Sequence, residues 1–188
     1  MGVLNMGITN PVQDYELFLK LQSESNDKLE YHNGQIFNMS PTSILHNVIV
    51  NNFMFQLAKF FKGSKYKIYS EQIPIIFQDE NSRNEYQPDI FVMCDGKTIG
   101  EKFISTPVIV FEVLSKSTKG NDLFIKPLIY EKFGVKEYNI VHQDGKVVQY
   151  GLIDGKYDVI SSLSNVDDYK SIVFNDLTFS LKEIFESK

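Results

Sequence analysis

The stretch Val108-Ile109-Val110-Phe111-Glu112-Val113-Leu114 buries a single carboxylate in an otherwise unbroken apolar run. Its β-branched, continuous character predicts a central strand covered on both faces, since a half-exposed strand would alternate apolar and polar residues. An ionised carboxylate taken out of water loses much of its solvation, so a chain that keeps Glu112 there must bring a partner to it. The earlier run Pro88-Asp89-Ile90-Phe91-Val92-Met93 supplies a second buried strand, and it opens on another carboxylate.

The remaining segments read as a frame for these two strands. The first nine residues have the look of a frayed end. Asn10-Pro11-Val12-Gln13 then gives an N-cap, a proline at the first helical position and a capping Gln, with Val12, Tyr15, Phe18, Leu19 and Leu21 at helical spacing behind them. Asn33-Gly34 joins two short runs, Leu29 to His32 and Gln35 to Phe37, as a β-hairpin that Pro41 closes. Leu45, Val48, Ile49, Phe53, Leu57, Phe60 and Phe61 predict a long amphipathic helix from Ser43, stopped by Gly63. Lys59, Lys62, Lys65 and Lys67 at its end read first as complements of the helix dipole, and second as a phosphate-binding patch.

Tyr66 to Phe77 reads as one strand with Pro74 at an edge or bulge, and the polar stretch from Gln78 to Gln87 as a surface loop. Ser115 to Gly120 is a second loop. A helix follows through Leu123, Leu128 and Phe133, closed by Gly134, with Pro127 delaying or kinking its start. Asp144-Gly145 and Asp154-Gly155 predict a three-stranded meander, and Ser180 to Phe185 a short capped tail helix. No repeat or linker divides the 188 residues, which read as one α/β or α+β domain.

A formal charge of -5 with a single arginine, Arg83, weighs against a generic nucleic-acid coat and against strong base readout, but not against an acidic metal site. The chain holds no apolar run near the ~18 residues that span a bilayer, and no basic stretch precedes an apolar one at Met1. With a lone Cys94, these features predict a cytoplasmic protein without a membrane span.

Asp89 and Glu112 on neighbouring strands would converge as hard oxygen ligands for Mg²⁺ or Mn²⁺, the chemistry of phosphodiester hydrolysis, with a nearby lysine orienting water or stabilising charge. The alternative is structural: Asp89 ending a strand and Glu112 paired with a core lysine. His46 borders an apolar stripe and reads as a hydrogen-bonded histidine. His32, His142 and Cys94 carry no ligand spacing, and Ser115 begins a loop.

Several motifs recur in a known order: Glu30-Tyr31-His32-Asn33-Gly34-Gln35-Ile36, Met39-Ser40-Pro41, His46, Pro88-Asp89, Glu112-Val113-Leu114-Ser115, Asp122, Lys126, Tyr130 and Gly134-Val135-Lys136-Glu137-Tyr138. This set resembles the Uma2 family of bacterial restriction-endonuclease-like proteins in the PD-(D/E)XK nuclease superfamily. The resemblance implies a restriction-endonuclease-like core, a central mixed β-sheet flanked by helices, with N-terminal and C-terminal β-hairpins. It implies Asp89 and Glu112 as metal ligands, Glu30 as a further acidic member of the site and Lys126 as its ammonium. In the superfamily motif the lysine lies two residues past the Glu, where this chain has Leu114, on the same strand face as Glu112. Lys126 also has a plainer reading, an exposed helix lysine paired with Asp122. The expected function is a metal-dependent DNA endonuclease, with two-fold pairing as a homodimer. The alternative is a catalytically silent nuclease-fold module for binding or assembly.

Overall fold

The computed structural model describes residues 11–25, 28–39, 42–115 and 120–186. The expected frayed end, the Asn10 cap, the Pro41 stop and most of the loop after Ser115 lie outside the described residues.

Helix α1 (Pro11–Glu24) leads into the hairpin β1 (Lys28–His32) and β2 (Gln35–Met39), whose turn residues Asn33 and Gly34 have φ of 43° and 96°. Positive φ at both central positions is what a two-residue hairpin turn demands, and Asn-Gly supplies it at least strain. Helix α2 (Ile44–Phe61) starts where Ser43 Oγ accepts from His46 N at 3.1 Å, and Gly63 at φ 78° follows its end.

The expected single strand from Tyr66 to Phe77 is two, β3 (Tyr66–Ser70) and β4 (Ile75–Gln78), which belong to different sheets. A turn closed by Ile73 N on Ser70 O, with Pro74 behind it, redirects the chain between them. The polar loop contains a buried strand, β5 (Arg83–Tyr86), in which Asn84 and Glu85 are fully covered. Glu85 is tolerated there because Lys102 Nζ reaches both its oxygens, at 2.7 and 2.9 Å, and Tyr15 OH donates to it at 2.7 Å.

The two apolar runs are β6 (Ile90–Cys94) and β9 (Ile109–Val113), with the short pair β7 (Thr98–Ile99) and β8 (Lys102–Phe103) between them. After β9 a π-helical turn (Asn121–Ile125) passes into α3 (Lys126–Phe133), so Pro127 does start the helix late, in its first turn. The meander β10 (Glu137–Val141), β11 (Val147–Ile153) and β12 (Lys156–Leu163) follows as expected. The hairpin β13 (Asp168–Lys170) and β14 (Thr178–Ser180) and the helix α4 (Lys182–Phe185) complete the order. Ser180 ends a strand and does not cap α4, whose N-cap position is Leu181.

The expected mixed α/β architecture is present, with its long strands divided between two mixed six-stranded sheets, ordered β2-β1-β5-β4-β8-β7 and β12-β11-β10-β9-β6-β3. β9 sits inside the second sheet, antiparallel to β6 and parallel to β10, with α3 as the crossover that parallel strands require. Strand alternation divides β9 between two cores. Ile109, Phe111 and Val113 pack with Ile49, Phe53 and Leu57 of α2. Val110 and Leu114 pack with Tyr130 of α3 and with Phe77 and Tyr86 of the first sheet. Glu112 therefore points into the aromatic layer between the sheets, away from α2.

Gly134 closes α3 at φ 82°, and a Cβ there would meet nothing within 4 Å. A Gly134→Ala change thus isolates the cost of left-handed backbone, and thermal unfolding should show a loss of about 1 kcal/mol. No helix among the described residues is long and apolar enough to cross a membrane.

Candidate active site

Five segments meet at the end of β9. Glu112 Oε1 accepts from Lys126 Nζ at 3.0 Å and from Tyr130 OH at 2.8 Å, so both residues of α3 address the same oxygen. Lys126 Nζ also lies 3.1 Å from Glu30 Oε1 on β1 and 3.1 Å from Asp122 Oδ1 in the π-turn. Glu30 Oε1 accepts in addition from Gln87 N at 3.0 Å, which ties β1 to the segment entering β6. Asp89 Oδ2 accepts from Val113 N at 2.7 Å and lies 3.1 Å from His46 Nε2, while Asp89 N approaches Glu112 Oε2 at 3.4 Å. Lys28 stands at the edge, its Nζ 4.0 Å from Asp89 Oδ1 and 3.8 Å from Glu71 Oε2.

The local fold explains this convergence. Lys28 and Glu30 alternate onto one face of β1, so a single strand presents both. Asp89 sits where the chain leaves the first sheet and enters the second. Pro127 offers no N–H to an ordinary helical ladder, and the wider π-turn before it brings Asp122 and Lys126 over Glu112. Tyr138 OH, donating to Asp122 O at 2.7 Å, satisfies a carbonyl of that turn.

Glu30, Glu112, Asp122 and Lys126 are each 98 % or more covered. One ammonium faces three carboxylates in an interior walled by Tyr86, Tyr130 and Tyr138 rings, so electrostatic coupling is strong. Burial pushes Glu112 up to about 8, with Asp122, Asp89 and Glu30 adding to the rise and Lys126 opposing it. Burial alone would lower Lys126, but Asp122, Glu112 and Glu30 hold it well above the ordinary lysine range. Burial would raise Asp89, yet the His46 hydrogen bond and Lys28 keep it below its ordinary value. His46 is raised in turn: burial opposes its charge, and the Asp89 hydrogen bond outweighs it.

Asp89, Glu112, Asp122 and Lys126 line a cavity of about 20 Å³ with Lys28, His46 and Ser115 around them. That volume takes one water-sized occupant. Asp89 Oδ1 and Glu112 Oε2 are the less committed oxygens of their carboxylates, and Glu30 Oε2 is buried without a hydrogen bond, whereas Asp122 Oδ1 faces the Lys126 ammonium. Such a donor set suits a hard divalent cation that keeps much of its water and takes one or two carboxylates. Among the described residues no group of three His, Cys, Asp or Glu side chains forms a ready-made metal cluster; Asp89 and Glu112 are the cavity-lining carboxylates with a less committed oxygen each that could hold an ion.

All four residues expected at the site, Glu30, Asp89, Glu112 and Lys126, are brought together. Lys126 is not an exposed helix lysine; its pairing with Asp122 exists, but in the interior. Sequence reasoning assigns no site role to Asp122, Tyr130 or Lys28, and places His46 near the site only through the family resemblance. The i,i+4 spacing of Asp122 and Lys126 and the Lys28/Glu30 alternation were the signals present. His32 and His142 lie elsewhere, His32 stacked on Tyr86.

A family profile described as "Uma2: Putative restriction endonuclease" matches residues 15–181. An uncharacterized protein of Synechocystis sp., slr1290, is 32% identical over 108 residues, a match that spans 57% of this chain and 56% of that protein. A solved structure described as a "putative nuclease belonging to DUF820", from Anabaena variabilis, superposes with a TM-score of 0.73 at 20% identity, covering 90% of this chain and 96% of the other. The structural match shows a shared fold, and the profile covers nearly all of the sheet and helix framework described above; the chain belongs to the Uma2 family of restriction-endonuclease-like proteins.

Proposed function

We propose that this chain is a divalent-metal-dependent endonuclease that hydrolyses phosphodiester bonds in DNA. The observation that carries the reading is the meeting of Asp89, Glu112 and Lys126, from separate segments of the fold, at one water-sized cavity, with Glu30 paired to Lys126 behind it. In this reading Asp89 and Glu112 hold Mg²⁺ or Mn²⁺ through their less committed oxygens. A bound ion of this kind supplies Lewis acidity toward a phosphoryl oxygen and lowers the pKa of a coordinated water. His46 and the Val113 N–H fix the Asp89 carboxylate, as outer partners orient a ligand. Lys126 and Tyr130 do the same for Glu112, and Lys28 offers a cation to a phosphate at the cavity edge. Two copies about a two-fold axis would address both strands of a duplex.

Supercoiled plasmid with Mn²⁺ or Mg²⁺ is expected to be nicked and linearised, and Asp89→Asn and Glu112→Gln to slow cleavage by at least about tenfold. An inert wild-type protein, or variants that cut at the same rate, would remove the reading.

A second reading, a silent nuclease-fold module for binding or assembly, draws on one observation. Leu114 occupies the usual lysine position, and Lys126 is already engaged by three carboxylates. Calorimetric titration with Mn²⁺ separates the two: heat that disappears in Asp89→Asn supports the enzyme, and DNA binding indifferent to metal supports the module.

A further inference from the structure

Charge is distributed unevenly along this acidic chain. Residues 31–70 contain no Asp or Glu and four lysines, so the other residues carry 15 basic against 24 acidic side chains. That segment is the hairpin turn, β2, α2 and β3. Its lysines, Lys59, Lys62, Lys65 and Lys67, are all exposed where α2 ends and β3 begins at the sheet edge. None is paired with a carboxylate among the described residues; Lys59 and Lys65 lie instead over the Phe55 and Tyr66 rings, at 5.8 and 5.7 Å. Among the described residues the carboxylates that touch this helix are Asp89, bonded to the buried His46 at its start, and Glu183 of α4, engaged by Gln56 Nε2 at 2.6 Å.

Two ordinary explanations cover part of this. Lysines complement the negative end of a helix, which accounts for Lys59 and Lys62, and a charged edge strand resists pairing with other chains, which accounts for Lys67. Neither accounts for two exposed aromatic rings among the lysines, Phe55 at 64% and Phe60 at 38% exposure. Neither accounts for the ridge that joins the lysines to the site. Asn47, Asn51, Phe55 and Lys59 follow one another at i,i+4 on the exposed face of α2, uninterrupted by an acid. The ridge begins beside His46, which lines the site cavity.

We propose that this face of α2 and the start of β3 form a second, non-catalytic contact for a nucleic acid, in which the four lysines take backbone phosphates and Phe55 and Phe60 lie against sugars or frayed bases. From His46 to Lys62 the helix advances about 24 Å at 1.5 Å per residue. A duplex laid along α2 therefore spans about seven base pairs between the site and the lysines, at 3.4 Å per pair. The contact reads backbone and not sequence, in keeping with a chain that has one arginine. It rests on the nuclease reading for its partner, but not for its test.

The test uses the full chain in EDTA and a fluorescent 20-base-pair duplex, comparing wild type with the Lys59→Gln/Lys62→Gln/Lys65→Gln/Lys67→Gln variant across a salt series. Loss of four phosphate contacts should lower affinity at least about tenfold near 0.1 M salt and flatten the slope of log affinity against log salt by about 3.6. Mn²⁺-dependent hydrolysis of bis(p-nitrophenyl) phosphate, which is too small to reach the patch, should be unchanged in the variant. Circular dichroism checks that the exposed substitutions leave the fold intact. Equal affinity and slope for the two proteins overturns the proposal, as does a variant that loses binding to anionic lipid vesicles while its DNA binding stays that of wild type. Failure of hydrolysis with patch-dependent binding removes the nuclease reading alone, and hydrolysis with patch-independent binding removes this one alone.

Discussion

Replacing Lys126 by methionine is expected to lower the unfolding free energy by about 3–5 kcal/mol, because removing one partner of a buried ionic group leaves the others uncompensated. The ammonium is the shared counter-charge of Glu30, Glu112 and Asp122, all within 3.1 Å of it. Methionine fills a similar volume, so the loss reports charge and not a cavity. Without the ammonium, Glu112 moves further above its value of about 8, since burial and its acidic neighbours act unopposed. The double variant Lys126→Met/Glu112→Gln should therefore recover roughly 1–2 kcal/mol of what the single variant loses. Urea denaturation of the two proteins measures both quantities. A single variant as stable as wild type would show that the cluster is not ionised as described.

Glu137→Val should cost on the order of 4 kcal/mol and for a different reason. Glu137 is fully buried on β10, and among the described residues no cation pairs with it. It is held by donors alone, the shortest being Tyr169 OH, Ser171 Oγ at 2.7 Å, Gln149 Nε2 at 2.9 Å and Ile172 N at 2.9 Å. These donors come from β11 and from the β13–β14 hairpin and its turn, so the carboxylate is the peg on which the C-terminal hairpin hangs. Valine would strand them all. Hydrogen exchange should show the hairpin opening first, and a loss below about 1 kcal/mol would refute the account.

The contrast between these two carboxylates shows what a sequence does and does not disclose. Glu112 drew attention because its neighbours are apolar on both sides. Glu137 lies between Lys136 and Tyr138 and looks like an ordinary strand entry, since all its donors but Asn139 are 12 or 32 to 36 residues away. The same holds for Glu85, which stands in a polar stretch of the sequence and is buried by Tyr15, 70 residues earlier, and Lys102. Periodicity marks burial by apolar side chains, and it is blind to polar residues buried by distant partners. Turn chemistry was the most legible feature: Asn33-Gly34, Asp154-Gly155 and Gly134 all adopt the positive φ their residue types favour. The division of Tyr66 to Phe77 between two sheets left only Pro74 as a trace. At the site, Lys126 was visible through the family motif, whereas its burial depended on the π-turn, which no local propensity encodes.

The placement of the site at the junction of both sheets sets when it comes into being during folding. Its contacts join residues 96 positions apart at Glu30 and Lys126, 43 at His46 and Asp89, and 14 at Glu112 and Lys126. The shortest of these still requires the parallel β9–β10 crossover, and the longest requires the first sheet to dock on the second. Closing such long loops is what slows folding. The cavity is therefore a late product of the folding reaction, absent from any half-formed chain. Whatever chemistry it performs is withheld until the last sheet is in place.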